Sequence, residues 1–217
     1  MLIEEDYKLK SEEEGIILEL LNEEIGKNQA LIRSIKRMSF IKTSIIMNNY
    51  RKIKISNRKD KEISTLERIE KNKIEISEES KVNFFLNMIE QLSYLINEEK
   101  QSICVLNKNN ILNIENNWIY VSSKDLGVIE NNKIAVNRVY EKDKSIDERL
   151  QKIKELPSVV DYRTIYYNLA CVTLKIIFKK GLEESIELLE NLEGSKLYYN
   201  IKRCLNKELE DRNILWV

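Results

Sequence analysis

Apolar residues recur along the chain with two periods, which separate helical stretches from extended ones. The clearest helical stretch runs from Ser77 to Ile96, where apolar positions return every three or four residues behind a capping serine. A capping-box pattern at Ser11 precedes another apolar stripe and predicts a first helix ending near Gly26. The apolar face of the clearest helix is predicted to consist of Val82, Phe85, Leu86, Ile89, Leu92 and Leu95. Further helices are predicted at 28–36, 63–69, 145–155, 161–178, 182–192, 195–205 and 209–217.

Short stretches rich in β-branched and aromatic residues predict strands between polar turns. Residues 40–55 predict two strands separated at Asn48 and Asn49. Asn tolerates left-handed turn conformations almost as well as Gly, so Asn-rich turns suit a chain with only five glycines. Further strands are predicted at 103–106, 111–114, 118–122 and 133–136.

The charge balance limits the classes of partner. The 217 residues include 36 basic and 36 acidic side chains, so no net field attracts nucleic acid or an anionic membrane. No apolar run approaches the roughly 20 residues that a membrane helix requires, and the acidic start does not have the pattern of a signal peptide. We therefore expect a soluble, intracellular, cytoplasmic protein, and the balance argues against nucleic acid and membranes as partners.

The chain contains no histidine, which removes the commonest general base and metal ligand. Its three cysteines, Cys104, Cys171 and Cys204, are far apart and form no metal-binding pair. We expect their side chains to be buried in the protein core, and we expect the protein to reside in a reducing compartment. These absences argue against most hydrolases and metalloenzymes, and we expect neither a cofactor nor a metal.

Four segments, in chain order, resemble parts of a protein kinase. Residues 66–95, ending in Leu92-Ser-Tyr-Leu95, are similar to kinase helices D and E. Asn110-Ile-Leu-Asn-Ile114 is similar to the Asn-Ile-Leu after the catalytic loop, and Tyr166 to Phe178 to the central helix F. Arg203-Cys-Leu-Asn-Lys-Glu-Leu-Glu-Asp-Arg212 is similar to the late Cys-Leu-x-x-Asp-Pro-x-x-Arg motif. The chain thus resembles the C-terminal lobe of the protein-kinase fold, as in the degenerate kinase-like proteins of large DNA viruses.

The resemblance implies an α+β, predominantly helical fold with a reduced or missing N-terminal lobe. Residues 63–217 would form a helical domain like a kinase C-lobe. Residues 1–62 would form a reduced N-terminal lobe or a helical/β appendage.

The same resemblance implies that the kinase chemistry is lost. Phosphoryl transfer in kinases requires a glycine-rich loop, a catalytic aspartate and magnesium ligands, and the five glycines here are scattered. Alignment on Asn110 places Val105 at the catalytic aspartate and Ile165 at the supporting aspartate of helix F. Neither side chain accepts a proton, so we predict that the chain has no catalytic residues.

Two positions resemble vestiges of the kinase cofactor site. Asn110 matches the metal-binding Asn, and Asp125-Leu-Gly127 resembles the magnesium-binding Asp-Phe-Gly, although strict counting gives Ser122 or Ser123. A late structural ion pair is also implied, between Arg212 and Glu148 or its neighbour Asp147.

The predicted function is that of a pseudokinase-like intracellular module that binds or regulates another protein. A cryptic nucleotide-binding phosphotransferase that uses Asn110 and Asp125 is one alternative, and an unrelated helical scaffold is another. The polar run at 56–62 is either a solvated loop or part of a basic contact surface. That surface would comprise Lys52, Lys54, Arg58, Lys59 and Lys61.

Overall fold

The computed structural model describes residues 2–3, 6–12, 15–45, 51–56 and 63–214. The chain forms two compact units. Unit 1 takes its residues from Met1–Gln101 and Asn107–Leu126, and unit 2 from Ser102–Leu106 and Gly127–Val217. The division differs from the predicted one, because the boundary expected between residues 62 and 63 falls within unit 1.

Unit 1 begins with an antiparallel sheet in the spatial order β1-β2-β3-β5-β4. One helix, α1, connects β3 to β4 and buries Leu31, Ile32 and Ile35. The elements are β1 (Leu2–Ile3), β2 (Tyr7–Glu12), β3 (Gly15–Leu20), α1 (Ile25–Arg37), β4 (Thr43–Ile45) and β5 (Lys52–Ile55). The helix predicted at 28–36 and the two strands predicted within 40–55 are confirmed, although Asn48 and Asn49 lie outside the described residues.

The helix predicted from Ser11 to Gly26 is wrong, because this segment forms parts of β2 and β3. Ile16, Leu18 and Leu20 are buried while the residues between them are half-buried, which is the two-residue period of a strand. Gly15 has φ +148°, and a Cβ atom there would lie 2.2 Å from the carbonyl oxygen of Ile55. The pairing of β3 with β5 thus outweighs the local capping signal.

The second part of unit 1 packs a small antiparallel sheet against the longest helix. Its sheet has the order β6-β8-β9, and a 3-10 helix at Lys108–Asn110 leads into β8. The elements are β6 (Ser64–Thr65), α2 (Leu66–Lys71), α3 (Glu78–Asn97), β7 (Gln101–Ser102, whose second residue belongs to unit 2), β8 (Ile111–Ile114) and β9 (Asn117–Tyr120).

The predicted long helix is confirmed as α3, and the Ser77 hydroxyl accepts a hydrogen bond from the Ser80 amide as its N-terminal cap. Its predicted apolar face is only partly correct, since Val82 and Leu86 are 44% and 54% exposed. The buried face is rotated toward Phe84, whose ring packs edge to face on Trp118 at 5.3 Å.

Unit 2 is organised around α5, whose buried side chains include Ile165, Leu169 and Cys171. Strands β11 and β12 pair in antiparallel fashion, and 3-10 helices follow at Leu188–Leu192 and Leu209–Asp211. The elements are β10 (Gly127–Val128), β11 (Lys133–Val136), α4 (Glu148–Gln151), β12 (Ser158–Asp161), α5 (Thr164–Phe178), α6 (Leu182–Glu187) and α7 (Lys196–Cys204).

The expected fold class is wrong. The described residues form twelve strands beside seven α-helices, so the protein is a mixed α/β structure with small antiparallel sheets. It is not predominantly helical, and these elements do not identify a kinase lobe. The error has a local cause: strands of two to six residues bury few side chains each and leave weak period-two signals. Among the described residues, no helix is both long enough and apolar enough to cross a bilayer.

Candidate functional site

The candidate site is a cluster of polar side chains in unit 1, which we call the polar centre. It consists of Asp6, Asn110, Tyr120, Ser122, Lys124 and Asp125. Asp6, just before β2, is its hub. Its Oδ1 atom lies 3.0 Å from Lys124 Nζ. Its Oδ2 atom accepts hydrogen bonds from Asn110 Nδ2 at 2.7 Å and from Ser122 Oγ at 2.8 Å.

The structure brings Asn110 and Asp125, the two predicted vestigial residues, to the same place. Asn110 is 2% exposed and donates from Nδ2 to Asp125 Oδ2 at 3.4 Å, as well as to Asp6. Asp125 Oδ2 also accepts a hydrogen bond from the Tyr120 hydroxyl. Ser122, which strict counting along the kinase motif places at the magnesium-binding aspartate, donates a hydrogen bond to Asp6 instead.

Neighbouring buried groups fix the position of the polar centre. Tyr7, fully buried at the start of β2, donates from its hydroxyl to the carbonyl oxygen of Asn109 at 2.8 Å. That bond ties the segment carrying Asp6 to the loop carrying Asn110. Ser123 donates to Asn28 Oδ1 at 2.6 Å, which ties the loop after β9 to helix α1. The centre therefore unites residues that lie more than one hundred positions apart in the chain; Asp6 and Ser122, for example, are 116 positions apart.

The pKa values of two groups in the centre, Asp6 and Tyr120, are shifted away from pH 7. Burial raises the pKa of Asp6, but the hydrogen bonds from Lys124, Ser122 and Asn110 outweigh burial and hold it below the usual 3.8. Burial, followed by the charge of Asp125, raises the pKa of Tyr120 well above 10.0. Neither group changes its protonation state near pH 7, so neither is suited to general acid–base catalysis there.

The donor set does not resemble an open metal site. A metal ion would bind the amide oxygen of Asn110. Here the amide nitrogen of Asn110 faces the carboxylates of Asp6 and Asp125, because carboxylate oxygens accept hydrogen bonds and the amide nitrogen is the donor. Lys124 supplies the positive charge next to Asp6. Within the described ranges, no group of three or more His, Cys, Asp or Glu residues is arranged to hold a metal ion.

Unit 2 contains the predicted structural ion pair, with a different carboxylate. Arg212 Nη1 lies 2.6 Å from Asp147 Oδ2, and these side chains are 3% and 2% exposed. Glu148, named as the first candidate, instead pairs with Lys152 on the surface at 2.9 Å. The helical turn explains this correction: Asp147 is the N-cap of α4 and points inward, whereas Glu148 in the first turn points to solvent.

A groove of about 530 Å³ lies next to this pair in unit 2. Tyr167 forms part of its wall, under the guanidinium of Arg212 at 5.3 Å from the ring centroid. Lys144 and Glu183 form an exposed salt bridge at its rim. The volume falls within the range of small-molecule sites, but the lining mixes both charge signs and favours no class of ligand.

The three cysteines are structural in their surroundings. All three are buried, as the sequence predicted, and none forms a disulfide. Burial raises the pKa of both Cys171 and Cys204 to about 12, so both remain protonated at neutral pH.

Sequence reasoning missed Asp6, Tyr120 and Lys124, which complete the polar centre. Asp6 lies 104 residues before Asn110, and no local pattern marks it. Lys124 directly precedes Asp125. A cation next to the predicted Asp125 was the one feature of the sequence that could have pointed to Lys124.

Comparison with known proteins adds no identification. No protein family matches this chain, and no curated protein matches it. The resemblance to protein kinases therefore rests on the residues alone.

Proposed function

We propose that the protein is a catalytically inactive, pseudokinase-like module that acts by binding another protein. The observation that carries the proposal is the occupation of the polar centre by the chain's own donors. Lys124, Ser122 and Asn110 take the oxygens of Asp6, while Tyr120 and Asn110 take Oδ2 of Asp125. A magnesium–nucleotide complex would have to displace several of these bonds at once.

The two positions where the resemblance places catalytic carboxylates support the same proposal. Ile165 is fully buried in α5. Val105 packs against a buried apolar cluster that includes Cys104, Ile134 and Leu150. Both side chains pack in the apolar core of unit 2. An apolar residue at each position therefore supports the core, and neither position has a proton acceptor.

A second function, cryptic nucleotide binding, is favoured by one observation. Asn110 and Asp125 lie within hydrogen-bonding distance, although 15 positions separate them in the chain. Rotation of the Asn110 amide and withdrawal of Lys124 would turn three oxygen-bearing side chains toward one point. Oxygen ligands of this kind suit magnesium.

Thermal unfolding with and without magnesium-ATP separates the two functions. A ligand that binds only the native state raises its stability by about 2.7 kcal/mol at a hundredfold excess over the dissociation constant. We expect no shift for the wild-type protein with magnesium or magnesium-ATP. We expect magnesium to raise the midpoint of Lys124→Met, because that variant leaves the charge of Asp6 without its cation.

The matched control is Lys144→Met, which removes an exposed lysine from a salt bridge in unit 2 and should not respond to magnesium. A magnesium-dependent rise in the wild-type midpoint would contradict the inactive module and favour nucleotide binding. Absence of a response in Lys124→Met would show that Lys124 does not take the place of a cation.

A further inference from the structure

The open face of the five-stranded sheet carries four lysines on two strands. Lys8 and Lys10 lie on β2, Lys52 and Lys54 lie on β5, and β3 runs between them. All four are half-buried or exposed, whereas the residues that alternate with them are buried. The alternating buried residues are Tyr7, Leu9, Ile53 and Ile55. We call this surface the lysine face.

The strand register arranges the four lysines in two rows. Lys8 and Lys52 lie on either side of Glu19, and Lys10 and Lys54 lie on either side of Ile17. The spacing of strands in a sheet puts the two lysines of a row about 9.6 Å apart, and the rise along a strand puts the two rows about 6.8 Å apart.

Positive charge is in excess on this face. Glu19 pairs with Lys52 at 3.2 Å, and Glu12 follows Lys8 and Lys10 at the next alternate position of β2, so four lysines share the face with two acidic residues among those described. Lys8 and Lys10 form no ion pair with any described residue. A surface of this kind attracts an anionic partner and sets its orientation.

We propose that the lysine face binds an extended acidic segment of another protein, with carboxylates at alternate positions. The proposal rests on the function proposed above and names the chemistry of the partner. An extended segment presents alternate side chains on one side at intervals of about 6.8 Å, the same interval that separates the lysines along β2 and β5. Ile17, half-buried between Lys10 and Lys54, offers apolar contact to the backbone of the bound segment.

The composition of the face favours a peptide over a single-stranded nucleic acid. Sheets that bind single strands present aromatic side chains on which bases stack. No aromatic side chain lies on the lysine face within the described ranges. Of the contact surface that the sequence suggested, Lys52 and Lys54 lie here, and Arg58, Lys59 and Lys61 lie outside the described residues.

The test is fluorescence anisotropy with a labelled twelve-residue peptide that alternates Glu and Thr. We expect binding that weakens with added salt. In Lys10→Glu/Lys54→Glu we expect affinity to fall about tenfold, which corresponds to about 1.4 kcal/mol. Lys10→Arg/Lys54→Arg keeps the charge and should keep the affinity.

The matched control is Lys36→Glu/Lys71→Glu, which makes the same charge change at two exposed lysines on α1 and α2. Equal loss of affinity in this control, or no binding by the wild type, would overturn the proposal. Tighter binding of an oligothymidylate than of the peptide, lost in Lys10→Glu/Lys54→Glu, would overturn it in favour of nucleic acid. None of these outcomes depends on the magnesium-ATP experiment, so either proposal can fail while the other stands.

Discussion

Each unit of the protein holds an aspartate next to a cation, and the two pairs differ in their access to water. In unit 1, the Asp6 side chain is 15% exposed and its partner Lys124 is 44% exposed. In unit 2, Asp147 and Arg212 are both almost fully buried. A pair in contact with water can exchange partners at little cost, whereas a buried pair that loses one member leaves a charge in an apolar environment. The same chemistry therefore makes a replaceable contact in unit 1 and a fixed part of the core in unit 2.

The remaining partners reinforce this difference. Arg212 also donates from Nε to the carbonyl oxygen of Asn206 at 2.6 Å, and Asp147 accepts the Arg149 amide at 2.8 Å as the cap of α4. The buried pair thus connects α4 to Arg212, which directly follows the 3-10 helix at Leu209–Asp211. The polar centre connects loops, and loops are where binding residues are usually found.

The largest effect is expected from breaking the buried pair. Asp147→Ala should lower the free energy of unfolding by about 3–5 kcal/mol, because it leaves the Arg212 guanidinium buried without a counter-charge. Urea unfolding followed by circular dichroism measures this change. Glu148→Gln, at the exposed neighbour, is the control and should leave the urea midpoint nearly unchanged. Similar midpoints for the two variants would show that burial does not set the strength of this pair.

A smaller effect is expected in the polar centre. Asp6→Asn keeps the shape of the side chain but removes the charge that Lys124, Ser122 and Asn110 bind, and should cost about 1–2 kcal/mol. Urea unfolding at pH 7 measures this cost. Glu183→Gln, which removes a carboxylate from an exposed pair, is the control. A cost for Asp6→Asn as large as that for Asp147→Ala would remove the contrast between the units.

The smallest effect is a pH dependence that sharpens the comparison. The pKa of Asp6 is lower in the folded protein than its ordinary value of 3.8, so the unfolded chain binds more protons at acid pH. The stabilisation is present above about pH 4 and is lost as the pH falls through the folded value. The difference in urea midpoint between the wild type and Asp6→Asn should therefore shrink from pH 5 to pH 3.

Asp161 in unit 2 provides a comparison for the same measurement. Burial raises its pKa, but hydrogen bonds from Arg163 outweigh burial and lower it overall. The difference in urea midpoint between the wild type and Asp161→Asn should therefore also shrink from pH 5 to pH 3. A midpoint difference for Asp6→Asn that stays constant down to pH 3 would contradict the lowered pKa of Asp6.

The candidate site shows where prediction from the sequence succeeds and where it ends. Asn110 and Asp125 were predicted because short motifs surround them, and the structure brings them together. Asp6 has no such motif, and its partners lie more than one hundred residues away. The choice of Asp147 over Glu148 for Arg212 depended on which of two adjacent side chains points inward, and adjacent residues in a helix start face different directions.

The sequence by itself determined the helices with strong apolar periods, above all α3 with its Ser77 cap and the buried α5, and it determined the burial of the three cysteines. These features depend on residues a few positions apart. Only the tertiary structure decided that residues 7–12 and 15–20 form strands, that unit 1 extends past residue 62, and that Asp6 meets Lys124. Each of these depends on contacts between distant segments, where pairing of strands and satisfaction of buried polar groups outweigh local preference.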